Sequence, residues 1–260
     1  MANVLVCVKR VPDFSGEVLL TEDAQAADAR FVGYTLSDHD NCAVELAIQV
    51  AAATGGEATV VTVGSPDAAE QLRSALGVGC TAAVLVAADP VELGPSDVSH
   101  EIAEVVRAKE AEGAGEGGGY DLVLLGNDAA DSGDFQVGIR LAHDLSRPVV
   151  TGIKTIEVNG DRATLKGDGP EGHETYDVAL PAVVTVLEGG VEPRYPTITG
   201  RMKAKKIAIE EREPAAPFLG SGRVQMTLPP PAPSTVEVLG AGPETAKVVV
   251  DLLQKLGVSR

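Results

Sequence analysis

The residues best placed to do chemistry stand together in Gly126, Asn127, Asp128, Ala129, Ala130, Asp131, Ser132, Gly133, Asp134, Phe135, Gln136 and Val137. This polar run follows a short apolar one, Asp121 to Leu125, which suits a strand buried on both faces. From about Phe135 the pattern turns helical, with Gly138, Leu141, Ala142 and Leu145 on one side. In an open α/β sheet such a loop lies beyond a strand's carboxyl end, where ligands bind. It also feeds a helix N-terminus, whose free N–H groups attract phosphate. The pattern therefore points to phosphate or nucleotide binding, although an ordinary surface connection has the same spacing.

A second cluster is Ser37-Asp38-His39-Asp40. A histidine between two aspartates suits a metal ligand or a general base. No other His or Cys stands at ligand spacing, so His39 reads as a loop residue near a helix start. Cys7, Cys42 and Cys80 are odd in number and far apart, which predicts reduced thiols. Gly77 to Ala82 spells G-x-G-x-x-A, but it follows a helix and opens a strand, the reverse of the dinucleotide motif. No G-x-S-x-G is present, which disfavours a serine hydrolase. Glu192 to Lys206 carries apolar Ile198 and Met202 after Thr197, then Lys203, Lys205 and Lys206, the densest basic cluster in an acidic chain. It reads either as a solvated loop or as a docking loop with an apolar anchor.

The elements that must position these residues alternate. Asn3 to Val8, Ala58 to Val63 (before Gly64) and Ala82 to Ala87 are apolar strands, with the strand at Asp121 a fourth. Between them, Ala43, Leu46, Ala47, Val50 and Ala51 mark a helix that Asp40 or Asn41 caps and Gly55-Gly56 ends. A second helix starts at Ser65-Pro66-Asp67 and closes at Gly77, and a third starts at Ser96. Gly113 to Gly119 is a linker. This alternation predicts a parallel sheet with right-handed crossovers. The loop after the first strand, Lys9 to Phe14, is not glycine-rich, which weakens a P-loop or dinucleotide reading. Val18 to Phe31 is an irregular excursion. Beyond Arg147-Pro148, a hairpin turning at Asn159-Gly160 and a strand at Leu180 to Val186 form a β-rich extension. Glu213 to Pro233 is proline-rich and reads as an extended arm, followed by a helix over Glu244 to Leu256.

The 260 residues carry a formal net charge of −17 and no tryptophan, which argues against nucleic acid as a partner. No apolar run reaches the roughly 18 residues of a membrane span. Met1 to Arg10 lacks the length and cleavage site of a signal peptide, so a cytoplasmic location is expected.

Several segments together resemble the β (small) subunit of electron transfer flavoproteins: VLVCVKRVPD, AVELA, DLVLLGNDAADSGDFQVG, EGHET with LPAVVTV, and above all EPRYPTITGRMKAKK. The resemblance covers nearly the whole chain. It implies a mostly parallel α/β sheet of the adenine-nucleotide-binding (HUP, Rossmann-like) type, with a β-rich extension and a C-terminal arm. Residues 1–212 would form the nucleotide-binding domain, and residues 213–260 an arm and helix that wrap a partner. It implies an electron carrier, not an enzyme. The carrier is a heterodimer with an α subunit, taking electrons from flavin dehydrogenases to a quinone oxidoreductase or another acceptor. The implied cofactors are FAD shared with the α subunit, and AMP or a second FAD in the β site. The implied cofactor-binding residues are Cys7, Ser37 to Asp40, Gly64 and Gly126 to Val137, with Phe14 approaching the shared flavin. Thr197, Ile198, Met202, Lys203, Lys205 and Lys206 would dock partners, Ile198 being the anchor. In the loop, Phe135 stands where AMP-binding members have asparagine, and Gln136-Val137-Gly138 looks like the FAD-binding variant. The rival readings are a free-standing nucleotide-binding stress-type protein of the same fold, and an adenylyl-transferring or pyrophosphate-cleaving enzyme.

Overall fold

Strand β1 (Val4–Cys7) is buried at all four positions and stands near the middle of a nine-stranded sheet. In this computed structural model the described residues are 1–13, 18–113, 118–230, 233 and 236–258. Phe14, most of the expected linker and Pro231 lie outside them. After β1, the short strands β2 (Val11–Pro12) and β3 (Tyr34–Thr35) pair antiparallel, and α1 (Asp38–Thr54) follows. Then come β4 (Ala58–Gly64), a 3-10 turn at Pro66–Ala68, α2 (Ala69–Val78), β5 (Ala82–Ala87), α3 (Pro95–Glu112), β6 (Leu122–Gly126) and α4 (Val137–Asp144). The extension holds β7 (Val149–Asn159), β8 (Arg162–Gly169), β9 (Gly172–Ala179) and β10 (Ala182–Val186). After it stand α5 (Ile198–Ala204), β11 (Ile209–Arg212) and α6 (Thr245–Lys255).

The sheet runs β11-β5-β4-β1-β6-β10-β7-β8-β9. The pairings from β11 through to β7 are parallel, and β7-β8 and β8-β9 are antiparallel. The expected α/β fold with a β-rich extension is therefore present. The chain goes from β1 to β4 on one side and later returns to β6 on the other. The switch point at which such sheets bind ligands thus lies between β1 and β6.

Two apolar layers sandwich the sheet. One contains Val4, Val6, Leu46, Ala47, Leu72 and Leu124, from the sheet, α1 and α2. The other contains Leu5, Cys7, Ile102, Val106, Leu125 and Leu141, from the sheet, α3 and α4. Consecutive residues of β1 and β6 serve opposite layers, which is why these strands read as unbroken apolar runs.

Several local expectations are corrected. Ser37, not Asp40 or Asn41, caps α1: its hydroxyl accepts from the Asp40 nitrogen at 3.1 Å. Helix α2 runs past Gly77 and is capped by Gly79. Helix α3 opens at Pro95, after Gly94, and α4 at Val137. Asn159 still pairs with Arg162, so the turn is Gly160-Asp161. The parallel edge strand β11 had no signal in the sequence, because four residues beside a lysine cluster show no usable period.

The chain divides into two compact units, Met1–Met226 and Thr227–Arg260. In the first, the segment after β11 lies against α3. Ala215 N–H donates to Glu101 at 2.9 Å, and Leu219 and Gly220 donate to Asp97 at 2.7 and 2.9 Å. In the second, α6 has no buried residue, and Val249, Leu252 and Leu256 are exposed. No described helix is long and apolar enough to cross a membrane.

Candidate functional site

At the switch point, one carboxylate joins two strand ends. Asp40 lies in the first turn of α1 and is 6% exposed. Its Oδ2 accepts the Lys9 N–H at 3.0 Å, just beyond β1, and its Oδ1 accepts the Gly126 N–H at 3.1 Å, at the end of β6. A Cβ on Gly126 would stand 2.5 Å from that Oδ1, so only glycine lets helix and strand approach so closely. Burial raises the Asp40 pKa to about 6, against the lowering effect of its hydrogen bonds and of Lys9. Asp38 and Asp40 do not act as a pair: Asp40 is committed to backbone donors, and Asp38 lines a different cavity.

The loop after β6 is held at its start and near its middle. The Asn127 N–H donates to Val186 O at 2.9 Å, and its Oδ1 accepts from the Gly152 N–H at 3.1 Å and from the Thr185 hydroxyl. Lys9 Nζ reaches Asp131 at 2.7 Å, tying the loop to the end of β1. The Asp128 Oδ1 is buried and has no hydrogen-bond partner among the described residues. Ala130 to Gln136 are exposed; Gly133 and Phe135 take left-handed backbone conformations, and the Phe135 ring is 57% exposed. Gln136 makes no side-chain cap, so the first N–H groups of α4 receive no acceptor from it.

Cys7 ends β1 as a buried free thiol, its pKa pushed up by burial and by the charge of Asp40. Gly64 is the buried last residue of β4. His39, in the first turn of α1, pairs with Glu188, just beyond β10, and there is no metal cluster among the described residues. The structure thus brings Cys7, Asp40, Asn127 and Asp131 around the switch point, with Lys9 added. It leaves Asp38 apart.

The segment expected to be a loop at Thr197 to Lys206 is largely the helix α5. Thr197 caps it, its hydroxyl accepting the Gly200 N–H at 3.0 Å. Ala204 is buried, whereas Ile198 is 82% exposed and Met202, Lys203 and Lys205 face solvent. The Arg73 guanidinium on α2 donates to the Ala204 and Ile207 carbonyls at its far end. The helix is therefore rigidly seated while its apolar side chains remain uncovered. Sequence reading missed Lys9, Arg73 and the Glu45–Arg194 pair, because such partners are distant in the chain and follow no period.

Comparison with known proteins now decides the family. Residues 28–217 match the family model described as the electron transfer flavoprotein domain. The chain belongs to the electron transfer flavoprotein family. It is 35% identical to electron transfer flavoprotein subunit beta of Bacillus subtilis, over 97% of each chain. The subunit beta of Syntrophomonas wolfei is 33% identical over 91% of this chain and 89% of its own. That of Mycobacterium leprae is 34% identical over 91% and 92%. As a β-type electron transfer flavoprotein subunit, the chain serves electron transport and is not an enzyme. This decides against the stress-type protein and the adenylyl-transferring enzyme.

Proposed function

We propose that this chain binds an adenine nucleotide in the crevice between β1 and β6, holds it beside an α subunit that carries FAD, and offers α5 to flavin dehydrogenases. The observation that supports the nucleotide is the orphaned Asp128 Oδ1 in the switch-point loop. A buried acceptor left unpaired is costly, by about 1–3 kcal/mol, and ribose hydroxyls or an adenine amino group are donors that would satisfy it. The uncapped start of α4 suits phosphate. AMP and a second FAD both present these groups, and the residues fit either.

The shared FAD supplies the redox chemistry. The chain's own residues do the rest. Asp40 fixes the ends of β1 and β6 so that the crevice keeps its width. Asn127 and Asp131 pin the loop. Ile198 and Met202 give an apolar contact, and Lys203, Lys205 and Lys206 give a basic rim, for partners that must bind weakly and leave. In this reading the proline-rich arm and α6 wrap the α subunit, and a quinone oxidoreductase or another acceptor takes the electrons, in the cytoplasm.

The test is to co-express the chain with its α subunit, denature the purified yellow complex, and identify the released nucleotides by mass spectrometry. One FAD and one AMP per heterodimer, or two FAD, support the reading. FAD alone would empty the β site and refute nucleotide binding. No complex and no flavin would refute the heterodimer itself.

A further inference from the structure

The start of the loop after β6 is gripped from two sides. On one side, Asp40 of α1 accepts the Gly126 N–H at 3.1 Å. On the other, the Val186 carbonyl at the end of β10 accepts the Asn127 N–H at 2.9 Å. The His39 imidazole of α1 meets the carboxylate of Glu188, two residues beyond β10. This pair joins the two gripping elements, so a closed ring of contacts surrounds Gly126 and Asn127. The ring has no spare room, since a Cβ on Gly126 would stand 3.1 Å from the His39 Cβ.

Both backbones that carry the pair are seated. The Leu187 N–H donates to the Ile153 carbonyl at 2.9 Å, and a Cβ on Gly190 would stand 2.1 Å from the Lys154 carbonyl oxygen, so the segment holding Glu188 is pressed onto β7. The Cys42 thiol, one turn along α1 from His39, donates to the Val191 carbonyl at 3.7 Å. The His39 side chain is 21% exposed and that of Glu188 56%, so solvent screens the pair only in part. The charges around His39 are mostly negative. Asp38 and Asp40 flank it on α1, and Glu188 faces it from beyond β10. Of the cations on adjoining elements, Lys9 is bound to Asp131 at 2.7 Å and Lys154 to Asp168 at 2.6 Å, although Lys154 also feels Glu188. Burial pushes the Cys42 thiol up, so it stays neutral. An imidazole in this setting holds its carboxylate best when protonated, and imidazole is the side chain that changes charge between about pH 5 and 8.

We infer that His39 and Glu188 are positioning residues for the loop Gly126 to Val137: their ion pair holds the start of the loop, and loss of the His39 charge as pH rises loosens it and speeds release of the bound nucleotide. The first half stands on the contacts around Gly126 and Asn127. The second half rests on the nucleotide reading proposed above.

The experiment is hydrogen exchange followed by mass spectrometry on the full chain in complex with its α subunit, from about pH 6 to about pH 8. Rates are corrected for the intrinsic effect of pH and read on the peptide over residues 122–128. Wild type is expected to lose protection by about threefold across that range, the scale of a half-exposed ion pair. Glu188→Gln is expected to show the weaker protection at every pH. His39→Lys keeps the positive charge and is expected to stay protected at the upper end. Asp40, which burial raises to about 6, titrates in the same range. It is present in wild type and both variants, so a pH dependence that both variants flatten belongs to His39. Nucleotide release into the filtrate, measured at the same pH values, is expected to follow the exchange. Equal wild-type protection across the range would overturn the inference, as would a pH dependence that persists in His39→Lys. Exchange that changes while release stays constant would overturn the release step. A complex that carries no nucleotide in the β site refutes the nucleotide reading, and the exchange rates then decide the role of the pair by themselves.

Discussion

Asp40 Oδ1 lies 3.1 Å from the backbone nitrogen of Gly126, while its other oxygen accepts from Lys9, so one buried side chain on α1 holds together the two strands that flank the switch point. Asn at position 40 keeps one acceptor and turns an N–H toward a backbone donor. Asp40→Asn is expected to cost about 1–3 kcal/mol of stability and to lower nucleotide retention. Denaturant unfolding and mass-spectrometric occupancy of the purified complex check both; unchanged values would remove Asp40 from the site's support.

The same carboxyl makes a pH prediction. Its pKa is 3.8 in the ordinary state and about 6 when folded. Between these values the folded chain binds the extra proton, so Asp40's contribution to stability falls as pH rises from about 4 to about 6. The stability difference between wild type and Asp40→Asn should therefore shrink across that window. Parallel urea titrations at several pH values measure it, and a difference that grows with pH would contradict the sign.

Glu45 tests the clasp that holds Arg194 to α1. Burial alone would raise its pKa, but hydrogen bonds from Arg194 and Gln49 outweigh this and hold it below the usual range. Glu45→Gln is expected to cost about 1–2 kcal/mol, less than a fully buried pair, since Arg194 is half exposed. The wild-type advantage is present above the ordinary Glu pKa and is lost as pH falls through the lower folded value. A double-mutant cycle with Arg194→Met isolates the pair; a coupling of zero would reduce it to a surface contact.

Asp97 and Glu101 hold the backbone of the segment after β11. Burial pushes the Asp97 pKa up, but the N–H groups of Leu219, Gly94 and Gly220 prevail, and it lies below the ordinary value. Replacing both residues by their amides leaves an N–H facing an N–H at each end. The segment around Ala215 to Gly220 should then be cut much faster in limited proteolysis. An unchanged cleavage rate would show that apolar contacts of Pro217 and Phe218 suffice.

Ile198 is the most exposed large apolar side chain of α5. Ile198→Ala should lower kcat/KM for electron uptake from a cognate dehydrogenase by about fivefold or more, as expected for an interface anchor, with flavin content unchanged. Gly200 adds a control. A Cβ there would lie 2.2 Å from the Gly77 carbonyl oxygen, so Gly200→Ala must displace α5 from α2 and should impair uptake without touching the apolar contact. Stopped-flow reduction measures both, and wild-type rates in Ile198→Ala would deny α5 the docking role.

Local chemistry sufficed for the core of the sheet, though not for its edge strand β11. Unbroken apolar runs at Val4, Ala58, Ala82 and Leu122, separated by helical periods, specify a mostly parallel sheet, because burial on both faces leaves no other pattern. The loop Gly126 to Val137 was legible as a ligand loop for the same reason: it links such a strand to a helix. Its family signature was equally local. Tertiary structure decided what no window of sequence holds. That Asp40 clasps Lys9 and Gly126, and does not cap its own helix, follows from the approach of α1 to residues 31 and 86 positions away. That α5 is a seated helix and not a loop depends on Arg73 meeting Ala204 and Ile207, and on Gly77 meeting Gly200, across the fold. Hydrophobic period is a short-range property of the chain, whereas hydrogen-bond and ion-pair partners are chosen by packing, which only the folded molecule expresses.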